Sequence, residues 1–312
     1  IIGGGSPEFR LKELKKRLYK IRVRNNKFAL GTFNIKNRQD GDTGGNMMDC
    51  LYELMDGVNF HGQINIQSKT NNDARKPCWS TLKSHWSNFP KWLKDLFYSD
   101  FVSGDNIEKQ MKFERPISTT KDLYGKTIEI PSRGLSVQYY PSTFNAQDGS
   151  HNVLLCVADE ICKWANCSPS SFFTNAEKFI KVGSKRMGLF SMFSSPADVK
   201  HRYVDEVHRM WKEANPLILD EFGSTKNGLF GYHTDPLDGI EGYYDKYGDA
   251  DPQEVLEKIM YDRGRKSKED LLGEIRANPL NEEEMFGSYD ANTLWSNQDG
   301  IVKRKMYVMS SL

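Results

Sequence analysis

The sequence has no apolar run approaching the roughly 18 to 20 residues that cross a bilayer, and its N-terminus lacks a charged-then-apolar signal pattern. Both absences point to a cytoplasmic chain that neither spans nor binds a membrane. Cysteine is scarce and odd in number: Cys50, Cys78, Cys156, Cys162 and Cys167. Cys156 sits inside an apolar run, so a disulfide framework is not expected. Cys162 and Cys167 with His151 match no zinc spacing, and reduced core thiols are the better reading. Net charge is slight, +1, but unevenly spread. Residues 1–40 hold eleven lysines and arginines against three acids, whereas residues 235–257 hold eight acids. Such a basic arm can touch a phosphate backbone, and a solvated helix face explains it equally well. What is present is ample core material: 312 residues, 38% hydrophobic and 12% aromatic, enough for one large α/β domain or two small ones.

Residues 151–164 carry the strongest local signal. Val153, Leu154, Leu155, Cys156, Val157 and Ala158 are unbroken apolar residues, as in a strand buried on both faces of a parallel sheet, and they run into Asp159 and Glu160. In an open α/β sheet, ligands gather at the carboxyl ends of the strands. Paired acids there can put one carboxylate on a metal and the other on a reacting water, as in the Walker B motif of nucleotide hydrolases. The plain alternative is a core strand entering a solvated turn.

Residues 1–9 have no periodicity and include Gly5-Ser6-Pro7-Glu8-Phe9, which resembles a cloning scar. Residues 10–24 form a basic amphipathic helix with Leu11, Leu14 and Leu18 at helical spacing. Residues 28–35 alternate as a strand does, a loop of turn formers follows, and Met47, Met48, Leu51, Leu54 and Met55 recur at helical spacing. Residues 63–67 give a second strand. Ala74, Cys78, Leu82 and Trp86 then share a helix face up to Pro90, and Trp92, Leu93 and Leu96 continue it briefly. Residues 126–130 and 135–140 are predicted to pair as a hairpin across Pro131-Ser132-Arg133-Gly134. Residues 175–182 read as helix. Residues 187–193 are another apolar run, ended by Ser194, Ser195 and Pro196, after which Val199, Val204, Val207 and Trp211 stripe a helix over residues 197–211. Alternating strands and helices imply a doubly wound, mainly parallel α/β sheet. Past Pro216 the character changes: residues 223–248 read as an irregular lid. Asp251 with Pro252 and Glu254, and Ser267 with Asp270, are helix-start signals of a small helical lid or linker subdomain. A strand-like Met306-Tyr307-Val308-Met309 lies in the last stretch.

A phosphate-binding loop presents successive backbone amides and a helix N-terminus to the anion, with a lysine on the terminal phosphates and a Ser or Thr hydroxyl on magnesium. Arg38, Gln39, Asp40, Gly41, Asp42 and Thr43 stand where such a loop belongs, between strand and helix, but Asp42 occupies the lysine position. At ~4 Å and an effective dielectric of ~20, repulsion between unit charges is on the order of 4 kcal/mol, so a carboxylate beside a triphosphate matters. Lys36 or Arg38 can supply the cation instead; by composition alone the segment also reads as an acidic surface turn. Ser194 and Ser195 can hydrogen-bond a terminal phosphate or its attacking water, or simply cap the following helix.

In order and spacing these pieces resemble the ATPase domain of the large terminase subunit, the motor that packages double-stranded DNA into tailed-phage heads. The likeness covers residues 28–286 and rests on the Arg38–Thr43 loop, Ser68 to Lys76, Asp148-Gly149 before the apolar strand, Asp159-Glu160, Ser194-Ser195-Pro196 and the stretch from Glu274 to Phe286. The resemblance implies a P-loop NTPase core of the ASCE branch over residues 28–215, a lid or linker over 216–288, and an N-terminal tail and basic helix over 1–27. It also implies ATP and Mg2+ as cofactors, with Asp159 and Thr43 on the metal, Glu160 activating water, and Arg38 as a cis arginine finger. Lys36 matches an alternative lysine position, and Gln39, Gly41, Asp42, Ser194 and Ser195 line the nucleotide. Expected partners are DNA phosphates, a portal, a small terminase subunit and further copies in a ring, in the cytoplasm of an infected bacterial host. The family adds a C-terminal nuclease domain, of which residues 289–312 would be only the start, so nuclease activity is not expected. Two other readings stay open: a structural or assembly module with impaired nucleotide binding, motivated by Asp42, and a helicase-like ATPase, which usually needs a second motor lobe. Arg186 and Arg202 are candidates for a residue completing a neighbour's site.

Overall fold

The computed structural model describes residues 10–38, 40–55, 61–97, 101–102, 110–183, 185–198 and 201–287. Helix α1 (Leu11–Asn25) leads into β1 (Gly31–Lys36), α2 (Asp42–Met55) and β2 (His61–Ser68). Next, α3 (Asn71–Asp73), started by the Thr70 side chain, runs through a π-helical turn (Ala74–Trp79) into α4 (Ser80–Asn88). Pro77 sits inside that turn; it has no amide to donate and its ring crowds the preceding turn, so the wider spacing accommodates it. Ala74, Cys78, Leu82 and Trp86 are all buried on this one face, as the spacing predicts. Then come α5 (Lys91–Phe97), β3 (Phe101–Val102), β4 (Gln110–Arg115), β5 (Ser118–Lys121), β6 (Thr127–Ile130), β7 (Arg133–Pro141) and β8 (Val153–Asp159). The chain continues through α6 (Pro169–Ala176), β9 (Lys181–Val182), β10 (Lys185–Arg186), β11 (Leu189–Ser194), α7 (Val204–Glu213) and β12 (Leu229–Thr234), and closes with α8 (Pro252–Gly264), α9 (Lys268–Ala277) and α10 (Glu282–Phe286).

Eight strands form the main sheet in the order β12-β1-β11-β8-β2-β7-β4-β3, parallel from β12 to β7 and antiparallel at β4 and β3. Strand β11 thus lies between the strand that precedes the glycine loop and the strand that ends in Asp159. The inner strands β1 and β8 are buried along their whole length, as strands covered on both faces must be. One face packs Phe33, Ile35, Phe190 and Met192 against α6, α7 and α10, and the other packs Ile64, Ile66 and Val157 against α2 and α4. At the start of β1, Gly31 has φ +156°, and a Cβ there would lie 2.2 Å from the Phe190 carbonyl oxygen, so the β1–β11 approach requires glycine.

Several expectations are corrected. Residues 126–130 do not pair with 135–140: β6 pairs with β5, across a turn in which Asp122 accepts from the amides of Tyr124 and Lys126, while β7 joins the main sheet. The helix expected over residues 175–182 lies earlier, as α6, overlapping that stretch only at Asn175 and Ala176, because Ser168 caps it and Pro169 opens it; residues 181–182 are strand β9. Residues 223–248 are not wholly irregular: β12 pairs with β1 along six residues, so the sheet extends past residue 215. Helix α7 begins at Val204, so Ser194 and Ser195 do not cap it. Gln39, Val199 and residues 306–309 lie outside the described residues, as do residues 1–9.

The basic helix α1 is turned opposite to its apolar stripe. Leu18 is 53% exposed, whereas Lys12 (2%) and Lys16 (8%) are buried together with Val23. The reason is charge: Lys16 meets Asp40 and Asp42, Lys20 and Arg17 meet Asp49, and Arg24 meets Glu53. Lys12, Lys16, Lys20 and Arg24 are thereby directed to acceptors of the chain itself, while Lys15, Arg17 and Arg22 remain exposed.

Asp251, Ser267 and Asn281 cap α8, α9 and α10 through their side chains, and Leu237, Val255, Leu256, Ile259 and Leu280 make the small core of the helical subdomain. Arg263 grips Glu284 there with two hydrogen bonds of 3.0 and 2.8 Å, both side chains buried. Removing one partner leaves a buried unpaired charge, so Arg263→Met should lower stability by about 3 kcal/mol, with Arg263→Met/Glu284→Leu regaining part of it, as read from urea denaturation midpoints.

Candidate functional site

Parallel register brings the site together at one sheet edge. Ile35 pairs with Ser194, Phe193 with Asp159, and Gln67 with Ala158, so Lys36, Ser195, Glu160 and Ser68 emerge side by side. After β1 the chain turns through Asn37 and Arg38, whose amide donates to the Ala277 carbonyl at 2.9 Å. Gly41 has φ +77°, a left-handed conformation that glycine adopts without strain, and α2 starts at the next residue. The first four amides of a helix have no intrahelical acceptor and share its positive dipole end, so the start of this fourteen-residue helix suits an anion. Thr43 lies in that first turn, half-buried, and the Arg38 side chain is exposed.

Asp42 does not face that space. Its side chain is 7% exposed and turned toward β1 and α1: Oδ1 accepts from Lys16 Nζ at 2.6 Å and Oδ2 accepts from Asn34 Nδ2. Asn34 Oδ1 in turn accepts from Thr234 on β12. Lys16 also donates to Asp40 Oδ2 at 2.7 Å and to the Asp40 carbonyl at 3.0 Å, while Lys12 meets Asp40 Oδ1 at 2.6 Å. Burial would raise the Asp42 carboxyl, but Lys16 and Lys20 outweigh it and hold it below the ordinary value. Burial would lower Lys16, but Asp42 and Asp40 raise it. The expected repulsion beside a phosphate is therefore absent in this arrangement: the loop's two aspartates are matched by two lysines.

The acid pair splits into two environments. Asp159 is 3% exposed, accepts from Ser68 Oγ at 2.7 Å, and is pushed up to about 6 by burial, with the Glu160 charge adding to it. Glu160 has φ +51°, uncommon for a residue with a Cβ and a mark of local strain. Lys36 Nζ lies 3.3 Å from its Oε1, Lys163 Nζ 2.5 Å from its Oε2, and Ser195 Oγ donates to Oε2 at 3.2 Å. Burial would raise Glu160, but the two lysines outweigh it and hold it below its ordinary value. Lys163 also donates to Ser195 Oγ at 2.5 Å; Ser194 Oγ donates to the Ser195 carbonyl and accepts from the Cys162 amide. Two adjacent carboxyls with separated proton affinities can serve different roles.

The structure thus joins Lys36, Asp159, Glu160, Ser194 and Ser195, and it turns Asp42 away. Ser68, Asn34, Lys163, Lys12 and Lys16 are additional participants. Lys163, three residues after Glu160, and Ser68, at a strand end, carried local signals; Lys12 and Lys16 carried none, being far from the loop in sequence. The Arg186 guanidinium donates to the carbonyls of Arg24, Asn26 and Ala29 within the chain. Arg202 donates to the Ala165 carbonyl and stacks on Tyr203. All five cysteines are buried free thiols.

Among the described residues no group of three or more His, Cys, Asp or Glu could hold a metal alone. The Asp159 carboxylate and Thr43 hydroxyl are the oxygen donors that magnesium takes, usually one or two from protein with the rest from phosphate and water, so the donor set fits that ion.

No family model and no curated protein matches this chain. Among solved structures, a mutant form of the large terminase ATPase domain of Thermus phage P74-26 superposes with a TM-score of 0.51 at 12% identity, over 86% of this chain and 92% of that one. The large terminase of a second thermophilic bacteriophage gives a TM-score of 0.47 at 16% identity, over 83% of this chain and 51% of its own, so this chain spans about half of it. The chain has the fold of a large-terminase ATPase domain.

Because burial raises Asp159 to about 6, its ionised form is the less stable one in the folded chain. Its contribution favours folding below the ordinary carboxylate range and is lost as pH rises through about 6. Asp159→Asn cannot ionise, and should exceed the wild type in stability by on the order of 2 kcal/mol near pH 8, with the gap closing near pH 4, in denaturation series at the two pH values.

Proposed function

We propose that this chain is an ATP-hydrolysing motor that drives double-stranded DNA into a viral procapsid. The observation that supports this best is the register just described. It sets a glycine loop opening a long helix beside an acid pair, Asp159 buried and Glu160 half-buried, with the Ser195 hydroxyl touching Glu160 between them.

In this reading the amides at the start of α2, with Gly41, hold the phosphates. Asp159 and Thr43 would hold the nucleotide magnesium, which when bound would neutralise charge on the phosphates. Glu160 stays ionised between Lys36 and Lys163 and orients the attacking water. Lys36 is the cation at the loop's start, and Arg38, exposed at the loop, is the arginine finger. Ser195 bonds Glu160 and begins the segment between β11 and α7, so it links the state of the acid to that segment. Double-stranded DNA is bound through its phosphates, without sequence preference and with strong salt dependence. Portal, small subunit and further copies of the chain complete the machine in the host cytoplasm. The reading as a module impaired in nucleotide binding rested on Asp42 facing the phosphates, and Asp42 is paired elsewhere.

The test is magnesium-dependent ATP hydrolysis by the purified chain, with and without duplex DNA. Glu160→Gln should lower turnover by about 100-fold or more, the scale of lost general-base help, while nucleotide affinity stays near that of the wild type. No nucleotide binding by the wild type, or full turnover by Glu160→Gln, overturns the proposal.

A further inference from the structure

We infer that Lys16 is a positioning residue of the phosphate loop: from a separate helix, it keeps Asp42 turned to the sheet so that the loop offers amides, not a carboxylate, to an anion. This rests on the reading that the loop takes a nucleotide.

Lys16 is nearly buried, and its ammonium is saturated by three loop acceptors, namely Asp42 Oδ1 at 2.6 Å, Asp40 Oδ2 at 2.7 Å and the Asp40 carbonyl at 3.0 Å. One ammonium therefore grips the backbone just before Gly41 and the side chain just after it. Gly41 is the conformational pivot, and residues on both sides of it are held by one side chain. Asp42 is held on its other oxygen by Asn34, and its carbonyl accepts from Asn46 Nδ2 at 2.8 Å. Without the ammonium, Asp42 would be a buried anion with one neutral donor. Rotating it toward solvent would carry it to the helix start, the place a phosphate would occupy.

The same helix ties the loop to the subdomain beyond β12. Lys12 spans Asp40 and the Gly239 carbonyl at 3.0 Å, and the Leu11 amide donates to the Gly248 carbonyl at 2.7 Å. Lys20, one turn further on, donates to Asn46 and Asp49 within α2 and reaches Asp42 through its charge, without a hydrogen bond to either loop aspartate. It thus separates docking of α1 and general charge from the direct grip on the loop.

The experiment compares Lys16→Met, Asp42→Asn, Lys16→Met/Asp42→Asn and Lys20→Met in the full chain, each studied well below its own melting temperature. Readouts are binding of a fluorescent ATP analogue, KM and kcat for ATP, and amide hydrogen exchange of residues 40–46 without nucleotide. Lys16→Met should weaken binding and raise KM by about tenfold or more, with kcat changed less than about threefold, because an anion is returned to the phosphate position. Its amides in residues 40–46 should exchange faster. Adding Asp42→Asn should restore affinity to within about threefold of the wild type, since the returned group is then neutral. Lys20→Met should lower melting temperature and change KM by less than about threefold, because Lys20 lends Asp42 charge but no hydrogen bond. Wild-type affinity and exchange in Lys16→Met, failure of Asp42→Asn to rescue it, or an equal KM loss in Lys20→Met overturns the inference. If the wild type binds no nucleotide, the function proposed above falls, and loop exchange in Lys16→Met against the double variant decides the positioning role by itself.

Discussion

Two lysines one turn apart on α1 meet two aspartates that flank Gly41, almost out of water, and the surrounding elements are arranged by that meeting. Charges this buried are costly unless matched and hydrogen-bonded. Here the matching runs from Thr234 on β12 through Asn34 on β1 to Asp42, Lys16, Asp40 and Lys12, and ends on the Gly239 carbonyl. The edge strand, the loop strand, the loop, the first helix and the start of the subdomain are thereby members of one network. Its cost shows in α1, which leaves Leu14 and Leu18 in solvent to direct lysines inward.

The acid pair shows the complementary device. Asp159 and Glu160 are neighbours in sequence, yet a left-handed turn at Glu160 sends their carboxyls to different surroundings. Asp159 stays within the sheet layer against a neutral hydroxyl and holds its proton more firmly; Glu160 reaches across to two ammonium groups and releases it more readily. The strain of a positive φ at a residue with a side chain separates two otherwise equivalent acids.

The parts of the chain that were legible in the sequence are those whose environment is set by their own residues. The run from Val153 to Ala158 is apolar throughout and is a central strand; the caps at Asp251 and Ser267 start helices where their side chains reach the next amides. The parts that were not legible depend on a partner elsewhere. Leu229 to Thr234, broken by Gly231 and His233, has no strand period of its own and is a strand because β1 pairs with it. Thr127 to Ile130 would suit β7 or β5, and only the sheet's demand for β7 beside β2 decides between them.

By itself the sequence determined the alternation of strand and helix, the glycine that opens α2, and the acids at the end of β8, because backbone preference and hydrophobic period act over a few residues. Tertiary structure alone decided what the charges do. Whether Asp42 confronts a phosphate, and whether the basic helix faces nucleic acid or its own loop, turns on which opposite charge lies within about 3 Å, and in a low-dielectric interior that distance dominates the energy. Residue 16 and residue 42 have no relation along the chain; only folding brings one to the other.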